Sequence, residues 1–333
     1  MSRTEELDPT ATLPRLPLPR VSRRVAVRQS MVLVGALAGA SLAACARGGP
    51  QPAPKPLGSK ENPIKMAIVP FLETQKLTVG MRSIADALEK ETGYTITSEV
   101  TASYVAAVEA MCAGKIDVNW LSPFPYVVAN NKCGAQMVLV SVNRNNQTSY
   151  RGMILVRADS GINDLQDLRG KRFAWVDPGS TSGYLYPRAL LMERGINPDT
   201  FFSQQITAGG HDKVIIAIMN RQVDAGAVYD DARTVEGIQA QFPKIMEETK
   251  VLAYTAEIPN DGVAVRKDMP QEVVQKIVQA LLKISSTPEG KKLFYDAIGT
   301  YGVAPITDAA YDPVRRAAKV LNLDLEAELR KLK

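Results

Sequence analysis

Phe173-Ala174-Trp175-Val176-Asp177-Pro178-Gly179-Ser180-Thr181-Ser182-Gly183-Tyr184 is the stretch on which the reading of this chain turns. Its first four residues form a short apolar run that reads as a buried strand, and 185–194 reads as a helix. Between them a Gly-Ser-Thr-Ser-Gly turn presents backbone N–H groups and three hydroxyls at a helix N-terminus. That arrangement holds an oxyanion, because the first amides of a helix lack internal partners and the helix dipole is positive there. The competing reading is capping alone, since Ser and Thr are preferred N-caps. One hydroxyl suffices for a cap, and three between two glycines exceed that need.

Outward from this turn, strands and helices alternate. Strands are expected at 64–70, 95–100, 116–121, 137–142, 153–157, 173–176, 202–206 and 262–266. Helices are expected at 77–91, 104–113, 125–131, 185–194, 211–220, 273–284 and 288–298. The first helix carries Leu77, Met81, Ile84, Ala85 and Leu88 at helical spacing and stops before Gly93. Alternation of this kind points to α/β architecture with parallel pairing and helices on both faces. The order of events repeats: Ile116-Asp117-Val118-Asn119-Trp120 in one half has the form of Val223-Asp224-Ala225-Gly226-Ala227-Val228 in the other. Two similar lobes follow, lobe 1 from 61–147 plus 254–333 and lobe 2 from 148–253. A chain that crosses twice between them makes a two-strand hinge.

The N-terminal 45 residues read as an export address. Arg23-Arg24 resembles the paired arginines of a twin-arginine signal. An uncharged 14-residue run, Met31 to Ala44, ends in Leu42-Ala43-Ala44-Cys45. That ending resembles a lipobox, in which Cys45 takes a lipid and becomes the first mature residue. A transmembrane anchor is the alternative, but spanning needs about 20 apolar residues. Residues 46–60 form a proline-rich linker, with Pro50, Pro52, Pro54 and Pro56 at alternate positions giving a stiff tether. The chain as a whole carries a net charge of +5. The leader's Arg3, Arg15, Arg20, Arg23, Arg24 and Arg28 against Glu5, Glu6 and Asp8 account for +3 of it, which leaves about +2 on the body. No basic stripe with interleaved aromatics appears, so nucleic acid is not an expected partner.

Apart from Cys45 the cysteines are Cys112 and Cys133, each ending a helical pattern. An exported chain meets an oxidising compartment, so a bridge between them is expected, with two buried thiols as the alternative. No metal is expected: there is a single histidine, His211, and no Cys-x-x-Cys. No cofactor is expected either. His211 opens a helix after Gly209-Gly210 and is placed to donate to an anion, or simply to cap.

From Ile64 to Ile298 the chain resembles the solute-binding proteins of phosphonate, phosphite and phosphate ABC importers. The resemblance rests on Ile68-Val69-Pro70, Ala102-Ser103-Tyr104, 114–123, Asp159-Ser160-Gly161-Ile162, 167–171, 177–184 and Gly209-Gly210-His211-Asp212. It implies a type II periplasmic binding fold of two lobes, each a mixed, mostly parallel sheet flanked by helices. It implies a monomer, anchored through Cys45, that docks on ABC permease subunits. It also implies that Ser180, Thr181 and Ser182 hold the ligand's oxyanion, with His211 as a further donor and Tyr104 and Tyr150 closing over it. In the family's aminophosphonate binders two acidic residues complete the pocket, and the resemblance places them at Asp231 and Asp261, with capping of the following helix as the alternative for Asp230 or Asp231. A carboxylate beside a phosphorus dianion repels it unless a proton or an ammonium lies between. The two aspartates therefore call either for a protonated oxyanion whose P–OH donates to them or for an aminoalkyl phosphonate. A sensor subunit of a signalling system and a phosphoryl hydrolase on the same fold are the rival readings.

Overall fold

The structure, a computed structural model, describes residues 55–321. The leader and lipobox expected at 1–45, and the expected linker up to residue 54, lie outside the described residues. In chain order the strands are β1 Ile64–Ile68, β2 Ile96–Val100, β3 Val118–Leu121, β4 Gln136–Ser141, β5 Ser149–Arg157, β6 Arg172–Trp175, β7 Gln204–Thr207, β8 Ala225–Tyr229, β9 Thr249–Pro259, β10 Gly262–Val265 and β11 Val303–Pro305. The helices are α1 Thr74–Thr92, α2 Tyr104–Cys112, α3 Pro123–Cys133, α4 Tyr186–Glu193, α5 Pro198–Phe201, α6 His211–Met219, α7 Glu236–Gln241, α8 Ile245–Glu248, α9 Gln271–Ser285, α10 Pro288–Ile298 and α11 Asp312–Val320.

Two sheets result, ordered β11-β4-β10-β3-β1-β2 and β7-β6-β8-β5-β9. Both are mixed. Parallel pairing joins β1 to β2 and β3, and β6 to β7 and β8. The strands next to the crossings, β5 and β10, pair antiparallel with both of their neighbours. Antiparallel pairing is therefore at least as frequent as parallel, more than strand–helix alternation foretells. The reason is connectivity: a strand that enters a sheet from the other sheet is not delivered by a crossover helix and need not run parallel.

The crossings themselves are short. The chain leaves the first sheet after β4 and returns between β9 and β10. The two passages are tied together: the Asn260 amide donates to the Thr148 carbonyl at 2.8 Å, and Ser141 N–H donates to the Asp261 carbonyl at 2.8 Å. The Asn260 side chain donates to the Ser141 and Gln147 carbonyls. β9 pairs with β5 along its whole length and carries the second sheet through position 254 to Pro259. This strand is not evident in the sequence, because Lys250, Tyr254 and Glu257 interrupt its apolar pattern.

The repeat seen in the sequence has a structural counterpart. Asp117 accepts the Lys65 amide at the start of β1, at 2.9 Å, and pairs with Arg266 at 2.6 Å. Asp224 accepts the Arg172 amide at the start of β6, at 2.8 Å, and pairs with Arg172 at 2.8 Å. In both halves one aspartate pins the N-terminal end of a neighbouring parallel strand. It thereby sets the register that aligns the strands' C-terminal ends.

Packing follows the apolar faces. Leu77, Met81, Ile84 and Leu88 of α1 are buried against the first sheet with Ile277 of α9 and Phe294 of α10. Phe173 and Trp175 of β6 pack with Phe202, which follows α5, at centroid distances of 4.4 Å and 4.5 Å from Phe173 to Trp175 and Phe202. A third cluster runs between the sheets, from Tyr104, Phe124 and Tyr126 to Leu185, Val214 and Tyr311. Cys112 at the end of α2 and Cys133 at the end of α3 are bridged. The bond clamps together the two helices whose N-termini face the second sheet.

Candidate functional site

The C-terminal ends of parallel strands from both sheets point at one another. From the first sheet come the loop after β1 with Phe71, the start of α2 with Tyr104, and the start of α3 with Phe124. From the second come the turn after β6, the start of α6 with His211, and the segment after β8. Ligands of α/β sheets collect at such ends. Direct hydrogen bonds link the two sides: Phe124 N–H donates to Thr181 Oγ1 at 2.9 Å, and His211 N–H donates to the Phe71 carbonyl at 3.1 Å.

The Ser180 turn is built from its own sequence. Asp177 accepts the Gly179 amide on its side chain at 2.7 Å and the Ser180 amide on its carbonyl at 2.8 Å. Ser180 then caps the helix start, its hydroxyl accepting the Gly183 amide at 3.0 Å. Thr181–Leu185 forms one wide turn in which Leu185 N–H reaches the Ser180 carbonyl, five residues back, at 3.0 Å. Such widened turns gather at functional sites. Among the described residues the Thr181 and Ser182 amides donate to no protein acceptor, so two N–H groups of this buried turn are left for something else. The glycines are steric requirements. A Cβ on Gly183 would lie 2.3 Å from Val176 Cγ2, and one on Gly179 would lie 2.6 Å from Tyr104 Cβ.

Tyr104 and Tyr150 flank the turn. Burial raises the Tyr104 phenol well above its ordinary range and the Asp261 and Asp177 carboxylates add to it, while the Ser180 hydroxyl pulls the other way. Tyr150 keeps some solvent access as a residue, but its phenol is enclosed. Burial and Asp261 push it up, and the Ser182 hydroxyl draws it back. Both phenols therefore stay protonated and can donate. Tyr104, Tyr150, Ser180, Ser182 and Asp261 form one electrostatic neighbourhood.

His211 is buried, and desolvation lowers its pKa to about 3, so the imidazole is neutral. Its Nδ1 accepts the Tyr229 amide at 3.1 Å. That bond places the remaining proton on Nε2 and makes His211 a donor. The Tyr229 ring stands edge-on to it at 4.8 Å.

The two aspartates differ. Asp261, at the return crossing, is pushed up to about 7 by burial against the hydrogen bond of its own amide. Among the described residues no other group hydrogen-bonds or ion-pairs with its carboxylate. Asp231 also lies close to Tyr229, whose phenol it pushes upward. Its carboxylate, however, is already held by Arg233: Nε to Oδ1 at 2.9 Å, Nη2 to Oδ2 at 2.7 Å, and the Arg233 amide to Oδ1 at 3.1 Å. Of the eight residues singled out from the sequence, the structure gathers Tyr104, Tyr150, Ser180, Thr181, Ser182, His211 and Asp261 at the facing strand ends. Asp231 is beside them but turned to its own partner.

The profile of the family described as "ABC transporter, phosphonate, periplasmic substrate-binding protein" matches residues 66–311. The chain belongs to this family. The periplasmic substrate-binding proteins it joins are components of transporters. One relative is the "Phosphate-import protein PhnD" of Mycolicibacterium smegmatis, 31% identical over 280 residues, spanning 77% of this chain and 85% of that protein. Another is the "Phosphonates-binding periplasmic protein" of Escherichia coli, 24% identical over 263 residues, spanning 78% of this chain and 77% of that protein. Among solved structures, PhnD1 of Prochlorococcus marinus in complex with methylphosphonate superposes with a TM-score of 0.69 at 17% identity, over 78% of this chain and 98% of that one. This last likeness bears on the fold.

Two residues of this substrate-binding protein escaped the sequence reading. Tyr229, at the end of β8, sets the His211 tautomer with its backbone amide. No side-chain pattern could signal that. Arg233 was legible in principle: an Asp-x-Arg spacing lets the guanidinium fold back on a carboxylate two residues earlier.

Proposed function

We propose that this protein captures a small phosphorus oxyanion in the cleft between its two sheets and delivers it to an ABC permease. The lobes are the two sheets with their helices, and the tied crossings at 142–148 and 260–261 are the hinge. Cys45 holds the folded body, through its proline-rich tether, at the outer face of the cell membrane. The observation that carries the reading is the pair of unpartnered amides at Thr181 and Ser182, inside a buried turn flanked by Tyr104 and Tyr150.

An oxyanion there would receive two amides, the Ser182 hydroxyl, the His211 Nε2–H and the two phenols. Tyr104 and the serine turn come from different sides of the cleft. A ligand that bridges them favours closure only through contacts the open form lacks. The relatives named for phosphate import and phosphonate binding support this ligand class. A binding role, rather than hydrolysis, is supported by His211. Its Nδ1 lone pair is taken by the Tyr229 amide, and its burial keeps the imidazole from carrying a proton away.

The test is a thermal-shift panel of phosphate, phosphite, methylphosphonate, 2-aminoethylphosphonate and sulfate. At 100 times its dissociation constant a ligand stabilises by about 2.7 kcal/mol. At least one phosphorus oxyanion should do so, with sulfate weaker. No shift with any of them would sink the reading.

A further inference from the structure

The segment after β8 carries two adjacent carboxylates, Asp230 and Asp231, at the rim of the candidate site, and each already has a cation. Arg151 Nη2 lies 3.4 Å from Asp230 Oδ2, and its guanidinium stacks on the Tyr254 ring at 4.2 Å. Arg233 grips Asp231 through both carboxylate oxygens, as described above. The Arg233 side chain is only 9% exposed, and its Nη1 donates to the buried Thr249 hydroxyl at 3.3 Å. A bidentate guanidinium–carboxylate pair is geometrically specific and among the stronger hydrogen-bonded contacts. Thr249 at the start of β9 fixes the arginine from behind, so the pair is part of the scaffold.

The consequence for recognition is electrostatic. An ammonium group needs an uncompensated carboxylate. At Asp231 it would meet a carboxylate with both oxygens engaged and a guanidinium beside it, which repels a second cation. Of Asp230, Asp231 and Asp261, only Asp261 has no hydrogen-bond or ion-pair partner in another residue for its carboxylate among the described residues. It stands next to Tyr104 and Tyr150, the phenols that flank the oxyanion turn. A carboxylate that close to a phosphorus oxyanion is tolerated when a P–O–H proton lies between them.

We infer that Arg233 withdraws Asp231 from ligand recognition, so that the site takes compact phosphorus oxyanions carrying a P–OH group and gains nothing from an aminoalkyl tail. This rests on the reading of the site as a phosphorus oxyanion pocket and narrows its ligand class.

The experiment is titration calorimetry on the purified full-length chain with phosphate, methylphosphonate and a matched pair, 2-aminoethylphosphonate and propylphosphonate. The pair differs by an ammonium in place of a methyl, so its affinity ratio isolates the amine. In the parent protein the aminoethyl compound should bind no tighter than the propyl compound, and Asp231→Asn should leave that ratio within about threefold. Arg233→Met frees Asp231 and should shift the ratio at least tenfold toward the amine. A parent protein that prefers the aminoethyl compound tenfold or more overturns the inference. So does a loss of amine affinity in Asp231→Asn, or an unchanged ratio in a folded Arg233→Met. If Arg233→Met does not fold, the parent ratio and Asp231→Asn decide. Failure of every phosphorus compound to bind the parent removes the underlying site reading as well; amine preference alone removes only the inference.

Discussion

Two turns of the second sheet sit at equivalent places, one after β6 and one after β8, and their polar groups are used in opposite ways. The turn after β6 spends its Asp177 and Ser180 side chains on its own backbone and leaves the amides of Thr181 and Ser182 unpaired. The segment after β8 carries more formal charge, yet both of its carboxylates are paired within the protein. Polar or charged residues at a strand end are therefore not the same as available ones. What counts for binding is the group whose hydrogen bonds the fold has left unmade.

Replacement of Gly183 by alanine breaks the first turn most directly. The new Cβ meets Val176 at 2.3 Å, so the turn must move. Overpacking of this kind costs about 1–3 kcal/mol, and displaced amides should weaken oxyanion binding more than about 100-fold, given about 1.5–3 kcal/mol for each hydrogen bond to a charge. Thermal melting and calorimetry on one preparation measure both. Parent-like binding in this variant would mean that the turn is not the anion site. Ser182→Ala is milder, since it removes one hydroxyl and keeps the amides. Affinity should fall about 10- to 100-fold for every phosphorus ligand, with little change in melting temperature.

The contrast extends to pH. His211, lowered to about 3, binds protons less readily when folded than when unfolded. Its contribution is present above pH 6.5 and is lost as pH falls toward 3. Asp261, raised to about 7, does the reverse: its contribution is present below about pH 4 and is lost as pH rises to 7. Between pH 4 and 6.5 the two slopes oppose each other. Denaturation across that window should show Asp261→Asn gaining stability with rising pH, relative to the parent, by up to about 1.4 kcal/mol per pH unit. His211→Gln should change by a similar amount in the opposite direction. Slopes of the same sign in the two variants would contradict these environments. The smallest effect belongs to the second turn. Asp230→Asn removes a partly exposed pair with Arg151 and should cost about 0.2–1 kcal/mol, with ligand affinity unchanged. A large affinity loss there would erase the distinction between the two turns.

Much of this was legible in the chain. The alternation located the strand and helix cores, because buried faces impose their period on the sequence. Ser103 caps α2 by accepting the Ala106 amide at 3.1 Å, and Gly93 ends α1 in a left-handed conformation, as their residue types suggest. Asp117 and Asp224 were visible as a repeat, though the strand-pinning they share was not. β9, β11 and α11 were not. β9 has few buried residues, since it is an edge strand held mainly by backbone pairing with β5, and backbone pairing leaves no mark on side-chain identity. The order of strands within each sheet was equally silent, because non-local pairing is chosen by the whole fold.

At the site the division is sharper. The sequence by itself determined the local chemistry: a turn of hydroxyls and glycines opening a helix, one histidine behind a glycine pair, two cysteines at helix ends, and tyrosines and aspartates at strand-end turns. Those features depend on neighbours a few residues apart. Only the tertiary structure decided which groups remain free. It gave Thr181 Oγ1 to an amide of α3, turned the His211 proton to Nε2 through Tyr229, and left Asp261 alone while Arg233, anchored by Thr249, closed on Asp231. Availability is a property of the finished packing, where desolvation and partner geometry are set by residues distant in the chain.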